Sequence, residues 1–486
     1  MMAFAALDLA GTILVIPAVA AVIIALLPGY RLKARTNILA NLASLVVALL
    51  LIMNGQRGSG QYLLVDDFNV AFVALNSFIG FTAAVFSAGY IAHELETGRL
   101  NRGYLQFYHP LYQIMMLGLN LAFLSNNIVL MWVAVELATL TTVLMVGIYR
   151  TPQALEAAWK YFILGSVGIA LALFGTILVY IAAQPVIGPG QNPMAWTVLM
   201  QYATAFDPAL LNVAFIFLLL GYGTKVGLVP MHAWLPAAHG EGPTPISAVL
   251  SGLLLNLALY ALLRFKMLFA VNQGTIAQGP LMITLGLASA IFGAFMLYRR
   301  RDIKRFLAYS SIEHMGVIVF AFGIGGPLAN FAGLLHMAMH SLGKSAIFYG
   351  VGHAAQIKGT QQIVDIRGLT GSHPGLGWGL VVGLLAIAGL PPMGIFMSEF
   401  LLLSSTFAIA PWLALALVFG LLVAFGALIR QLARIAFGNP VGNLKPLRGR
   451  LAFLPMYAHL ALVLIAGIYL PAPLVSWFQH VAGMLG

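Results

Sequence analysis

Fourteen times along this chain an apolar run recurs, in most cases of about twenty residues, the length an α-helix needs to cross the hydrocarbon core of a bilayer. The runs lie at roughly 8–27, 35–53, 70–92, 109–124, 126–149, 159–183, 210–235, 244–264, 281–297, 304–323, 328–350, 376–401, 408–429 and 451–470. With 61% hydrophobic and 8% charged residues over 486 positions, and a mean hydropathy of +0.96, no water-soluble core could enclose so much apolar surface. In lipid every backbone amide must be satisfied internally, which leaves helices or a closed barrel. A barrel needs segments of about ten residues alternating in polarity, and the sequence lacks them. The expected fold is therefore all-α: a polytopic membrane protein of about fourteen transmembrane helices, with 1–486 as a single membrane domain.

The first run has no Lys or Arg before it and no small-residue cleavage site after it, which predicts a retained helix and not a signal peptide. The chain has no cysteine, so thiolate-ligated iron–sulfur clusters, thiolate zinc sites and disulfides are excluded. Any redox chemistry belongs to a partner, and no cofactor is expected in this chain. A net charge of +11 would suggest nucleic acid in a soluble protein; here topology accounts for it and no nucleic-acid partner is expected. With the amino terminus outside, eighteen of the twenty-four Lys and Arg fall in cytoplasmic loops, among them Arg31, Lys33, Arg35, Arg299, Arg300, Arg301, Lys304, Arg305 and the basic stretch from Arg430 to Arg450. Only Arg57, Arg264 and Lys266 fall outside. The excess of positive charge on one side predicts both termini on the periplasmic face of a bacterial or archaeal cytoplasmic membrane.

Two runs carry internal breaks. The seventh contains "GYGTKVGLVPMHAWLP" (221–236), with Lys225 one turn before Pro230; the twelfth contains "AGLPPMGIF" (388–396), where Pro391 and Pro392 remove two amide donors and clash with the preceding turn. Breaks five runs apart on oppositely directed spans predict two inverted five-helix repeats, helices 4–8 over 109–264 and helices 9–13 over 281–437, an arrangement that suits ion binding near the midplane.

An ionisable side chain at the bilayer centre is costly, so each is a functional candidate. The series is Glu136, Lys160, Lys225, Glu313, His314, His336, His340, Lys344 and Glu399. His336, His340 and Lys344 are each four residues apart, which places them on one helix face with about 6 Å of rise between neighbours. Three explanations of this stripe stay open: a proton wire, hydrogen-bonded structural histidines, and a metal site, although "HMAMH" lacks the glutamate of HExxH. Glu136 requires a cationic partner, which Lys225 or Lys160 can supply, either as a fixed lock between helices or as a pair whose charge changes. Glu399 has no cation in its own helix and suits an entry or exit acid, or a carboxylate at a watery cavity. Glu313 and His314 are expected near the cytoplasmic end of their helix, within reach of water. His232, His239 and Glu241 in "HAWLPAAHGEGPTPISAVLSG" could suggest acid–base hydrolysis, but no nucleophile or metal set accompanies them.

These same stretches, "KVGLVPMHAWLPAAHGEGPTPISAVLSG", "VAVELATL", "AYSSIEHMG", the His–His–Lys helix and "LPPMGIFMSEF", resemble the antiporter-like proton-pumping subunits of respiratory complex I, membrane-bound hydrogenases and multisubunit sodium/proton antiporters. The resemblance covers roughly helices 3 to 14. It implies a fourteen-helix fold, a Glu136–Lys225 pair that gates protonation, an accompanying Lys160, a central relay through His336, His340 and Lys344, and an exit at Glu399. His232, Glu313 and His314 are accessory candidates. Many relatives carry a titratable residue where this chain has Asn256, which cannot titrate, so the link between the halves must run through water or another residue. Asn256 together with "SSIEHMG" looks most like the hydrogenase-4 or formate hydrogenlyase F branch.

The resemblance implies a non-redox subunit of an oxidoreductase complex, partnered by other membrane subunits and a cytoplasmic redox arm. The alternatives are a quinone-linked complex I subunit, a subunit of a multisubunit cation/proton antiporter or ion-coupled bicarbonate system without a redox arm, and a structural anchor whose buried charges are fixed pairs.

Overall fold

The computed structural model describes residues 2–55, 57–441 and 452–486; Lys445, Arg448 and Arg450 of the basic stretch lie outside the described residues. Helices dominate, and among the described residues the one sheet is a two-stranded antiparallel pair, Gly58–Ser59 with Leu64–Val65. Short polar side chains start the long helices by accepting the free amides of the first turn. Asp66 forms a capping box with Asn69 ahead of Asp67–Glu96. Asn127 caps Ile128–Val146, Thr151 caps Pro152–Ala183, Asp207 caps Pro208–Val226 and Asp302 caps Ile303–Ile324. In two of these a proline fills the first helical position, where its missing N–H costs nothing.

The expectation of fourteen spans is corrected. Among the described residues ten helices are long and apolar enough to cross a membrane, or up to eleven if Leu454–Ile468 and Ala472–Met484, bent by 81°, count as one. The runs at 109–124 and 328–350 form helices of 23 and 33 residues, Arg102–Leu124 and Gly326–Lys358, that are too polar to qualify. The run at 376–401 becomes Pro374–Ile387 and Gly394–Ile409, 14 and 16 residues long, each too short alone. The two inverted five-helix repeats, and the numbering of the interrupted helices as 7 and 12, rest on a fourteen-span count and fall with it; by length and composition Pro208–Glu241 is one span, although its α-helix is interrupted at Gly227. The physical reason is that an apolar run says nothing about what surrounds it. The polar side chains of the disqualified helices are held against protein and not against lipid. The helix begun in the run at 328–350 continues past it as far as Lys358.

Thr244–Ala270 and Ile303–Ile324 lie at the centre, with 100% and 94% of their apolar windows buried, whereas Asp8–Leu26 and Tyr30–Met53 bury only 33% and present the rest outward. Two helix pairs approach closely through glycine, as small residues permit in membranes. A Cβ on Gly221 would stand 2.4 Å from the Ala172 amide nitrogen, and one on Gly316 would stand 2.4 Å from that of Ala290. The obstacle in each case is backbone, so no rotamer change can relieve it.

On the side assigned above to the periplasm, Arg264 is not in an aqueous loop as its sequence position suggests. It sits on the helix Leu255–Ala270, 2% exposed, and donates from Nη1 and Nη2 to the two oxygens of Asp66 at 2.6 and 2.8 Å. Its Nε donates to the Tyr260 hydroxyl, and the guanidinium lies over Trp196 at 4.5 Å. The planar fork that grips a carboxylate in two places is what lysine cannot supply.

Gly221→Val is expected to lower stability by about 1–3 kcal/mol through overpacking, while Gly11→Ala, with nothing within 4 Å of its added Cβ, is expected to be neutral; thermal unfolding in detergent separates the two. Arg264→Leu strands the Asp66 carboxylate and is expected to cost about 3 kcal/mol or more. An unchanged melting temperature would mean that Asp66 is solvated without its partner.

Candidate functional site

Lys225 stands in the last turn of Pro208–Val226, and Gly227 ends that helix with φ +84, a conformation glycine adopts without steric cost. The ammonium thus lies at the carbonyl end of its helix, where positive charge is favoured. Its Nζ donates to Glu136 Oε2 at 3.1 Å and to Thr139 Oγ1 at 3.0 Å. Glu136 and Thr139 are three residues apart on Ile128–Val146 and so share a face. Room for the ammonium comes from a third helix: a Cβ on Gly165 would stand 3.1 Å from Lys225 Nζ. The lysine side chain is 1% exposed and the glutamate 16%, so the pair is dry on one side and opens at the carboxylate. Trp234 closes the helix end, donating from Nε1 to Thr224 O at 2.8 Å and stacking on Tyr161 at 4.3 Å.

Lys160, the other proposed partner of Glu136, is not there. It pairs with Glu156 one turn back on the same helix at 2.5 Å, and the two side chains are 54% and 64% exposed. The i, i+4 spacing of Glu156 and Lys160 makes that pairing legible in the sequence.

The second cluster is built on Gly326–Lys358, where the spacing of four brings His336, His340 and Lys344 to one face. Lys344 is fully buried; its Nζ donates to Leu307 O at 3.5 Å, and among the described residues no carboxylate lies within ion-pair distance. Among the described residues neither nitrogen of His340 has a hydrogen-bond partner. Glu313 and His314 are 2% and 0% exposed, which corrects their expected place near water: Ile303–Ile324 is enclosed along its length. His314 Nδ1 lies 2.9 Å from His336 Nε2, and His336 Nδ1 lies 3.0 Å from Ser398 Oγ. The rings of His314 and His340 are 5.3 Å apart. Glu399 fits against Gly389, where a Cβ would come within 2.2 Å of Oε2. Among the described residues, His314, His336 and Glu399 are the group whose ligand atoms all lie within 4.8 Å of one another.

Between the clusters, Asn256 Nδ2 donates to Met337 O at 2.9 Å and to Ser341 Oγ at 2.7 Å, one residue past the start of the helix that follows the π-helical turn Leu250–Leu254. It ties two central helices together and relays no proton itself. His232 is half-buried against Phe292. His239 stacks on Phe348 at 4.9 Å with neither nitrogen bonded, while Glu241 accepts from Arg305 at 2.8 Å. Among the described residues no hydrogen bond or ion pair joins His232 or His239 to Glu241. Thr139 and Ser398 escaped the sequence analysis; Thr139 was legible from its i, i+3 relation to Glu136, whereas nothing in the local spacing marks Ser398.

Residues 125–424 match the family described as NADH:quinone oxidoreductase/Mrp antiporter, TM. The chain is 58% identical over 476 residues to the Hydrogenase-4 component F homolog of Methylacidiphilum infernorum, covering 98% of this chain and 99% of that one. It is 28% identical over 382 residues to a subunit of the Na(+)/H(+) antiporter of Alkalihalophilus pseudofirmus, covering 78% and 74%. Among solved structures it resembles a chain of the archaeal membrane-bound sulfane sulfur reductase with a TM-score of 0.87 at 22% identity, over 98% of this chain and 97% of that one. A chain of respiratory complex I from Thermus thermophilus gives 0.82, also at 22%, over 98% and 99%. A helical bundle that buries a lysine–glutamate pair and a His–His–Lys face, matched along most of its length by these sequences, belongs to the NADH:quinone oxidoreductase/Mrp antiporter transmembrane family, as one of its antiporter-like membrane subunits.

Proposed function

We propose that this chain translocates protons as an antiporter-like subunit of a complex I-related redox complex of hydrogenase type, with Glu136, Lys225, His336, His340, Lys344 and Glu399 along the path. The observation that carries the reading is the desolvated Lys225–Glu136 contact at 3.1 Å. If Glu136 swings away, an uncompensated ammonium is left in a low-dielectric interior, and releasing its proton removes that cost. Lys344, buried and, among the described residues, bonded to a carbonyl at 3.5 Å, is the corresponding acceptor site, and the nitrogens of His340, without partners among the described residues, can pass a proton from either side. His314, joined to His336, extends the line toward Glu399; His232 and Asn256 remain accessory to it.

The 58% identity to a Hydrogenase-4 component F homolog over nearly the whole chain supports the hydrogenase type. The distribution of Lys and Arg supports both termini on the periplasmic side. Lys160 and Glu156 form an exposed ion pair on a helix whose other exposed side chains include Trp159, Ile163 and Val167. The reading places other membrane subunits beside this chain, and a cytoplasmic redox arm completes the complex. The 28% identity to a subunit of a Na(+)/H(+) antiporter favours a second reading, cation/proton exchange without a redox arm.

The test is ΔpH formation in vesicles holding the native complex, supplied with its electron donor. Lys225→Ala and Glu136→Ala are each expected to abolish translocation. Lys225→Arg, which cannot deprotonate, is expected to do the same with assembly preserved. Pumping retained in Lys225→Arg would leave a fixed ion pair in place of a switch, and ΔpH that forms without electron flow when a cation gradient is imposed would favour the second reading.

A further inference from the structure

His314, His336 and Glu399 come from three different helices, Ile303–Ile324, Gly326–Lys358 and Gly394–Ile409, and their ligand atoms converge within 4.8 Å. The outer partners of the two rings decide which nitrogens carry hydrogen. The Ser398 hydroxyl donates its single proton to Ile395 O at 2.7 Å, so toward His336 Nδ1, 3.0 Å away, it can only accept. His336 therefore carries hydrogen on Nδ1, and its Nε2 presents a lone pair. His314 Nε2 lies 3.6 Å from Glu313 Oε2, and both atoms are buried without a hydrogen-bond partner. A small turn of the ring gives that carboxylate an N–H to accept and leaves His314 Nδ1 as a lone pair too. With hydrogen on His314 Nδ1 the 2.9 Å contact is an ordinary hydrogen bond; with the ring turned, two lone pairs face each other and call for a cation between them.

A shared proton satisfies that demand at 2.9 Å. A divalent metal satisfies it almost as well: two imidazole nitrogens at about 2.0–2.1 Å from a tetrahedral ion are about 3.3 Å apart, so the rings need to part by only a few tenths of an ångström. The remaining features are those of a metal centre. His336 has its outer nitrogen on an oxygen, Ser398 Oγ at 3.0 Å, as metal-ligating histidines do, and Glu313 Oε2 stands 3.6 Å from that of His314, within reach of a small ring turn. One carboxylate is at hand as third ligand and a second, Glu313, stands beside His314, so a doubly charged ion would meet two negative charges provided that His340 and Lys344, which face the same cluster, are neutral when it is bound. Glu399 is only partly buried, so the cluster is least enclosed at its carboxylate.

We propose that His314 Nδ1, His336 Nε2 and the Glu399 carboxylate form a binding site for a divalent transition-metal ion of the zinc type, with one coordination position left to water. The ion enters in exchange for the proton held between the two imidazoles, and that proton leaves to solvent. The site stands whether or not the chain pumps protons, because it rests on ligand geometry alone.

The test uses the full chain in lipid nanodiscs, stripped with chelator and equilibrated with Zn2+. Bound metal is counted after gel filtration, and the zinc environment is read by X-ray absorption. The expected result is one zinc per chain, an absorption signature with two imidazoles, and affinity that falls on acidification with one proton taken up per ion released. His336→Gln and Glu399→Gln are each expected to weaken binding by about 100-fold, whereas His480→Gln, on the surface with a side chain 62% exposed, leaves the count unchanged. Zinc that does not survive gel filtration, a shell without imidazole, or undiminished binding in folded His336→Gln and Glu399→Gln would overturn the site. Should either variant fail to fold, the absorption spectrum of the wild-type chain decides alone.

Discussion

An ammonium group cannot stay charged in a lipid-bounded interior without a partner, and much of this molecule is arranged around that requirement. Lys225 and Glu136 come from helices separated by about ninety positions in the chain, and holding them 3.1 Å apart fixes how Ile128–Val146, Pro152–Ala183 and Pro208–Val226 must meet. Gly165 leaves the hole, Gly227 ends the helix so that the lysine faces the hole, and Trp234 seals the end. The same demand recurs at Arg264, where a buried guanidinium fixes Asp66 and with it the start of Asp67–Glu96. Coulombic attraction between desolvated groups is strong but exacting, so these pairs specify geometry more than they add stability.

Lipid also inverts the usual logic of sorting residues. Side chains such as Val15, Val19, Leu39 and Leu415 face outward, where a soluble protein would carry charge, and the polar helices Arg102–Leu124 and Gly326–Lys358 lie within. Apolar attraction cannot hold helices together in a solvent as apolar as they are, so close packing through Gly221 and Gly316 and interhelical hydrogen bonds such as those of Asn256 take over. The two functional clusters sit where this polar interior is best enclosed.

The sequence was most legible where one residue type in one position has few physical outcomes. Apolar runs identify an all-helical membrane bundle, a spacing of four puts His336, His340 and Lys344 on one face, and a midspan glutamate demands the lysine it meets. It was least legible where the outcome depends on neighbours from other helices. A run of apolar residues does not reveal whether lipid or protein surrounds it, which is why four of fourteen expected spans, those at 109–124, 328–350, 376–401 and 451–470, did not qualify alone. Lys160 reads like Lys225 in sequence, yet it lies outside and takes the nearest carboxylate on its own helix. Glu313 and His314 read as residues near water because they follow a basic loop, but the helices around them close over that stretch. The meeting of His314, His336 and Glu399 has no sequence signal, since no spacing rule relates three separate helices.

The short helix Trp234–Glu241 is fastened at both ends. Trp234 holds the segment carrying Lys225 through Thr224 O, and at the far end Arg305 binds Glu241 at 2.8 Å while Lys304 donates to Gly242 O at 2.7 Å. Those two basic residues open the helix that bears Glu313 and His314. Eight residues of α-helix make a rod of about 12 Å that bends far less readily than a loop. It behaves as a strut: the end of the Lys225 helix cannot shift along the strut's axis without either tearing one of these fastenings or displacing the first turn of the His314 helix by a similar amount.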